Sequence, residues 1–160
     1  MRILGLDVGQ KTIGVAVSDE LRLCAHAVKT LARRGTKGDV EQVLVLCAQY
    51  QTREAVVGLP LKPEGDELLE GQRARRVRVF GDALAAAGLT IHYHDESYST
   101  VAATEVLLEA DLSRARRKQV VDRLAAAVIL QAYLDSAQRS EAPSIDDMRS
   151  AEARTEEPAR

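Results

Sequence analysis

Ile3-Leu4-Gly5-Leu6-Asp7-Val8-Gly9-Gln10-Lys11-Thr12-Ile13-Gly14-Val15-Ala16-Val17-Ser18-Asp19 decides how this chain is read. Two apolar runs, Ile3 to Val8 and Ile13 to Val17, flank a short polar turn that contains glycine, the pattern of a β-hairpin. Both runs are nearly apolar throughout, so both strands are expected to be buried on both faces. Asp7 interrupts the first run. A carboxylate among Ile3, Leu6 and Val8 is costly to desolvate unless a cation or donors compensate. Two readings stand: Asp7 caps the turn, as Asp does before Gly, or it meets a metal ion or a basic partner. Gly9 and Gly14 divide similarly, between positive φ or a bulge and close approach by a phosphate backbone. The turn lacks the G-x-x-x-x-G-K-[ST] spacing, which excludes a P-loop.

Working outward, Leu21 to Leu31 reads as a third strand. Three consecutive strands with short connections are expected to be antiparallel neighbours. Arg33-Arg34-Gly35-Thr36-Lys37-Gly38 reads as a basic loop, either solvated or in phosphate contact. Val40, Val43, Leu44, Leu46, Cys47 and Tyr50 follow helical spacing and predict a helix over 39–50. Glu54 to Leu59 is a short strand halted by Pro60. An apolar strand between two helices predicts a parallel βαβ arrangement.

After a polar loop from Leu61 to Leu69, a helix carrying Arg73, Arg75, Arg76 and Arg78 runs to about Ala87, capped by Gly88. Its basic side is either an ordinary solvated face or a nucleic-acid face. Leu89 to Tyr93 is the fifth strand. It delivers His94-Asp95-Glu96-Ser97 at its carboxyl end, where ligands gather in open α/β sheets. Ser99 or Thr100 caps a helix through Leu108. The last helix begins near Ser113. Arg114, Arg116, Arg117 and Lys118 crowd its first turn, where the helix dipole disfavours cations. Such placement points to an external anion, most simply a phosphate. Asp122 interrupts the apolar face that follows, and its plainest reading is a solvated partner of Lys118 one turn back.

The 160 residues suit one domain with a sizeable core. Trp is absent and aromatics are scarce, so Ala, Leu and Val must fill the interior. No apolar run is long enough to span a membrane, and Met1-Arg2 leads straight into a strand without a signal-peptide pattern. A cytoplasmic location is expected, with Cys24 and Cys47 as buried, reduced thiols. The net charge of −2 hides an asymmetry, because acids outnumber bases from Glu141 onward and the body is near neutral to slightly basic. The tail over 139–160 lacks a sustained apolar period and is expected to be disordered, which leaves 1–138 as the folded domain.

Asp7 in the first strand, Glu96 at a strand end and Asp122 in the last helix are three separated carboxylates with basic clusters around them. Such a set suggests a divalent-metal site that handles phosphodiesters. The sequence also resembles the YqgF/RuvX family of the RNase H-like superfamily, distant relatives of the RuvC Holliday-junction resolvases. The resemblance rests on Gly5 through Asp19, on Val56-Val57-Gly58-Leu59-Pro60-Leu61, and on Asp95-Glu96 followed by Ser99-Thr100. It continues with Lys118-Gln119-Val120-Val121-Asp122-Arg123-Leu124-Ala125-Ala126 through Ile129-Leu130-Gln131, and covers about residues 1–137.

That resemblance implies an α/β protein of RNase H-like fold: a five-stranded mixed sheet, three antiparallel strands first, flanked by helices. It implies that Asp7, Glu96 and Asp122 are the catalytic, metal-binding acids, holding Mg²⁺ or Mn²⁺. It implies a nuclease that processes the 5′ end of pre-16S ribosomal RNA, with a Holliday-junction resolvase as the alternative. Partners would be RNA, or branched or single-stranded DNA, and pre-ribosomal particles. On this reading Lys11, Arg33, Arg34, Lys37, Arg73, Arg76, Arg114, Arg116, Arg117 and Lys118 hold the nucleic-acid backbone without reading bases.

One departure matters. The family reads Asp-Glu-Arg before its Ser-Thr pair, and Ser97 stands here in place of the Arg. A cation beside the scissile phosphate is then lost unless Arg73, Arg76 or another side chain supplies it. Two competing readings are an ATP-binding module, which needs two such domains, and a non-catalytic RNA-binding ribosome-assembly factor. Resolving a four-way junction needs two symmetric sites and so a homodimer. No long apolar stripe marks a dimer surface, so monomer and homodimer both stand and RNA processing ranks first.

Overall fold

The first strand, β1 (Leu4–Val8), divides the protein's core in two. Leu4, Leu6 and Val8 join one apolar cluster, while Ile3 belongs to a second. This is the period-two alternation of a strand covered on both faces. The computed structural model describes residues 1–60, 71–95 and 114–141, with side chains described from 119 to 140 in the last segment. The expected helix from Ser99 or Thr100 to Leu108 lies outside the described residues.

β1 pairs antiparallel with β2 (Thr12–Ser18), which pairs antiparallel with β3 (Ala25–Ala32). β4 (Glu54–Leu59) joins the other edge of β1 in parallel, and β5 (Thr90–Asp95) joins β4 in parallel. The five-stranded order is therefore β3-β2-β1-β4-β5. The mixed sheet, its antiparallel first half and its βαβ second half all agree with the sequence reading.

Two helices, α1 (Thr36–Gln49) and α2 (Gln72–Ala86), cover one face. Val43, Leu46, Val77, Phe80 and Leu84 pack there on the even-numbered β1 residues. α3 (Arg114–Glu141) covers the other face through Ala126, Ile129, Leu130 and Leu134. A Cβ on Gly5 would lie 2.7 Å from that of Leu130, so the bare glycine lets α3 lie against β1.

Several boundaries differ from expectation. β3 begins at Ala25 because residues 19–24 form a tight turn, in which Asp19 Oδ1 accepts from the Leu23 and Cys24 amides and Arg22 has φ 57°. Cys24 is consequently exposed, whereas Cys47 is buried as expected. α1 starts at Thr36, so Lys37 stands in a helical first turn rather than a loop. Gly35 makes that entry with φ 84°, and the fully buried Asp39 accepts from the Arg34 amide at 2.7 Å. Gly88, with φ 94°, ends α2 as expected. α3 extends to Glu141, three residues past the expected domain boundary, and residues 142–160 lie outside the described residues. Among the described residues no helix is long and apolar enough to cross a membrane.

Candidate active site

Asp7 pairs with Gly14 in the β1–β2 register. A Cβ on Gly14 would fall 1.9 Å from the carbonyl oxygen of Asp122. The backbone of α3 therefore lies directly on β2, beside the strand residue that faces Asp7. Gly14 does not adopt positive φ, and the close neighbour that a side chain there would meet is the helix that carries Asp122. Gly9 serves the turn, where a Cβ would press on the Thr12 carbonyl oxygen at 3.0 Å.

The Asp7 side chain is 15% exposed, and the guanidinium Nη2 of Arg73 is 3.7 Å from its Oδ1. Asp122 Oδ2 accepts a 2.6 Å hydrogen bond from the hydroxyl of Thr12. A cleft of about 430 Å³ is lined by Lys11, Thr12, Arg73, Arg76 and Asp122, with Gly9 and Gln10 at the turn. Two carboxylates and a hydroxyl are all hard oxygen donors, a set that suits Mg²⁺ or Mn²⁺ rather than a soft, thiolate-seeking ion. Among the described residues no three His, Cys, Asp or Glu side chains cluster, and the expected third acid, Glu96, lies outside them.

The expected cations separate into four groups. Lys11, Arg73 and Arg76 border the cleft. Arg34 and Lys37 are exposed nearby in the chain, at the start of α1. Arg33 is turned inward: its Nε donates to Asp39 at 2.5 Å and its Nη1 to the Gly9 carbonyl at 2.8 Å, while its guanidinium stacks 5.7 Å from the Phe80 ring centre. Arg114, Arg116, Arg117 and Lys118 open α3, and their side chains lie outside the described residues.

A larger depression, about 720 Å³, lies at the other end of the sheet between Met1, Cys47, Glu54 and Leu89. It gathers one partly buried acid, Glu54, already held by Arg22. The smaller cleft brings Asp122 together with Lys11, Arg73 and Arg76, and Arg73 in turn reaches Asp7.

A family model described as "RuvX: Holliday junction resolvase" matches residues 1–136. The chain belongs to the RuvX family. A Myxococcus xanthus relative named "Putative pre-16S rRNA nuclease" is 48% identical over 137 residues, 85% of this chain and 89% of that protein. A relative of the same name from Moorella thermoacetica is 51% identical over 136 residues, 84% of this chain and 95% of its own length. Among solved structures, a fowlpox virus resolvase with Holliday junction DNA superposes with TM-score 0.52 at 12% identity, covering 86% of this RuvX-family chain and 99% of the viral one. That likeness is one of fold.

Two residues, Thr12 in this RuvX-family site and Asp39 beneath Arg33, are not singled out by the sequence. Thr12 reads there only as part of the polar turn before the second strand, yet its hydroxyl reaches a residue 110 positions away. Asp39 hides behind a basic stretch. The visible clue was an acid in the first turn of a helix that follows two arginines.

Proposed function

We propose that this chain is a divalent-metal-dependent nuclease that hydrolyses phosphodiester bonds of structured nucleic acid, acting in 5′-end processing of pre-16S rRNA. One observation carries the reading: Asp7 pairs with Gly14, Gly14 lies against the backbone of Asp122 from the far end of the sequence, and Arg73, 3.7 Å from Asp7, lines a cleft with Asp122, Lys11 and Arg76. The names borne by the 48% and 51% identical relatives support ribosomal RNA as the substrate.

Asp7, Asp122 and Glu96 are the residues that would hold the ion. A divalent ion bound there supplies an activated water and offsets the negative charge that builds on the phosphate. Lys11, Arg73 and Arg76 bind the phosphate backbone and orient it against the acids. Arg73, 3.7 Å from Asp7, is the side chain best situated to supply the cation that Ser97 does not. Arg34, Lys37, Arg114, Arg116, Arg117 and Lys118 are the further backbone contacts that the sequence proposes. Binding by such contacts is non-specific in sequence and weakens steeply with salt. The family's own description favours a second reading, resolution of four-way DNA junctions.

The deciding experiment is cleavage of end-labelled 5′-extended 16S precursor RNA, single-stranded DNA and a four-way junction. Each is run with Mn²⁺, Mg²⁺ or EDTA, wild type beside Asp7→Asn. Metal-dependent cleavage of the precursor RNA that disappears in Asp7→Asn is expected. Preferential cleavage of the junction moves the assignment to the second reading. A folded protein that binds RNA and cleaves nothing overturns the nuclease reading.

A further inference from the structure

We infer that Thr12 is a positioning residue that fixes the Asp122 carboxylate, and with it the spacing of the two acids. The inference rests on the metal-site reading above and adds a residue to it.

Thr12 makes two hydrogen bonds that tie the two acid-bearing elements together. Its carbonyl accepts from the Gly9 amide at 2.8 Å and closes the turn that follows Asp7 by two residues. Its hydroxyl donates to Asp122 Oδ2 at 2.6 Å. A hydroxyl on a carboxylate at that distance is a strong, charge-assisted hydrogen bond. Thr is β-branched and stiff about χ1, so the donor does not wander. Thr12 lies two residues before Gly14 and thus on the same face of β2. Gly14 lets the α3 backbone approach, and Thr12 then grips the side chain that α3 presents.

A purely structural role would look different, and the fold supplies the comparison. Thr30 pairs with Gly14 from the β3 side, and its hydroxyl donates to the Gln119 carbonyl at 2.6 Å. Thr30 therefore anchors the backbone of the same helix, one turn before Asp122, without touching the carboxylate. Both threonines hold α3 on the sheet, but only Thr12 holds the acid itself.

The test compares Thr12→Val, Thr12→Ser and Thr30→Val with wild type in three readouts: Mn²⁺ affinity by calorimetry, kcat and KM for cleavage, and thermal midpoint. Thr12→Val keeps the shape and removes the donor. It is expected to weaken Mn²⁺ binding by about 10- to 100-fold, the usual loss when the partner of a metal ligand is removed, and to lower kcat with KM little changed. Thr12→Ser keeps the hydroxyl and should restore both. Thr30→Val should lower the thermal midpoint and leave Mn²⁺ affinity near that of wild type.

Unchanged Mn²⁺ affinity in Thr12→Val overturns the inference, as does a Thr12→Ser protein as impaired as Thr12→Val. Wild type that binds Mn²⁺ and cleaves nothing removes the nuclease reading while the affinity comparison still decides the role of Thr12. Wild type that binds no Mn²⁺ overturns both.

Discussion

Gly14 and Asp122 are in direct backbone contact across 108 positions of sequence: a Cβ on Gly14 would stand 1.9 Å from the Asp122 carbonyl oxygen. No rotamer relieves that overlap, because the obstructing atom is helix backbone. Gly14→Ala must lift α3 from β2, at a cost on the order of 3 kcal/mol. The expected drop in thermal midpoint is roughly 6–12 °C, accompanied by loss of cleavage as Asp122 moves away from Asp7. Gly35→Ala is the control. Its Cβ meets nothing within 4 Å, and only its φ of 84° is strained, so it should cost about 1–2 kcal/mol and spare cleavage. Scanning calorimetry of the two variants decides, and equal midpoints would refute the contact.

Arg33 and Arg76 look alike in sequence but should behave oppositely on mutation. Arg33 bridges the buried Asp39 and the Gly9 carbonyl, so Arg33→Ala leaves a buried carboxylate uncompensated, at about 3–5 kcal/mol. Arg76 is exposed at the mouth of the cleft. Arg76→Ala should leave stability within about 0.5 kcal/mol, weaken RNA binding, and reduce the slope of log affinity against log salt by about 1. Urea unfolding and RNA titrations at several salt concentrations separate the two. A stable Arg33→Ala protein with a reduced salt slope would make Arg33 a phosphate contact after all.

The ease with which the fold is read from sequence and the difficulty of reading the site have one physical origin. Strands β1, β2 and β4 are apolar almost throughout because both faces are covered, and that signal is local. The same applies to Gly88, whose left-handed φ follows directly from its place after a helix. Asp7 stood out because a carboxylate inside an apolar run is costly wherever it occurs. Thr12, Gly14 and Asp39 gain their roles from partners distant in sequence or hidden by a neighbouring charge. Gly14 in particular has ordinary strand geometry and is explained only by a helix packed on it. Cys24 misled because Leu21 and Leu23 around it resemble a strand, whereas Asp19 folds those residues into an exposed turn.

Arg22 and Glu54 should govern the acid limb of stability at the end of the sheet remote from the cleft. The Arg22 guanidinium grips Glu54 through two hydrogen bonds, of 2.6 and 3.2 Å, and holds its carboxyl below the usual glutamate range against the opposing effect of burial. A depressed folded-state pKa stabilises the fold above the unfolded-state value of about 4.3. That contribution is lost as pH falls through the lower, folded-state value. Urea midpoints measured from pH 7 to pH 3 should therefore fall more steeply for wild type than for Glu54→Gln, and the two curves should converge at the acid end. Parallel curves would show that the pair contributes nothing to the pH dependence.

Cys24 and Cys47 should react with thiol reagents on different timescales. Cys24 lies in the exposed turn before β3, beside Leu21 and Leu23, which are 77% and 50% exposed. Cys47 lies on the buried side of α1, and burial pushes its thiol up to about 11. The reactive species is the thiolate, so at pH 8 Cys47 is disfavoured twice, by access and by ionisation. Labelling of native protein with a chromogenic disulfide should give a single fast thiol, with the second appearing only on denaturation. Cys24→Ser should abolish the fast phase and leave the slow one. Because Cys47 is buried at the edge of the larger depression, its labelling rate also reports how often that part of the core opens. It should slow further if divalent ion or RNA binding stabilises the fold. Two thiols reacting at equal rates in native protein would mean that α1 does not seal the core as the packing of its Val43 and Leu46 in one cluster with Phe80 requires.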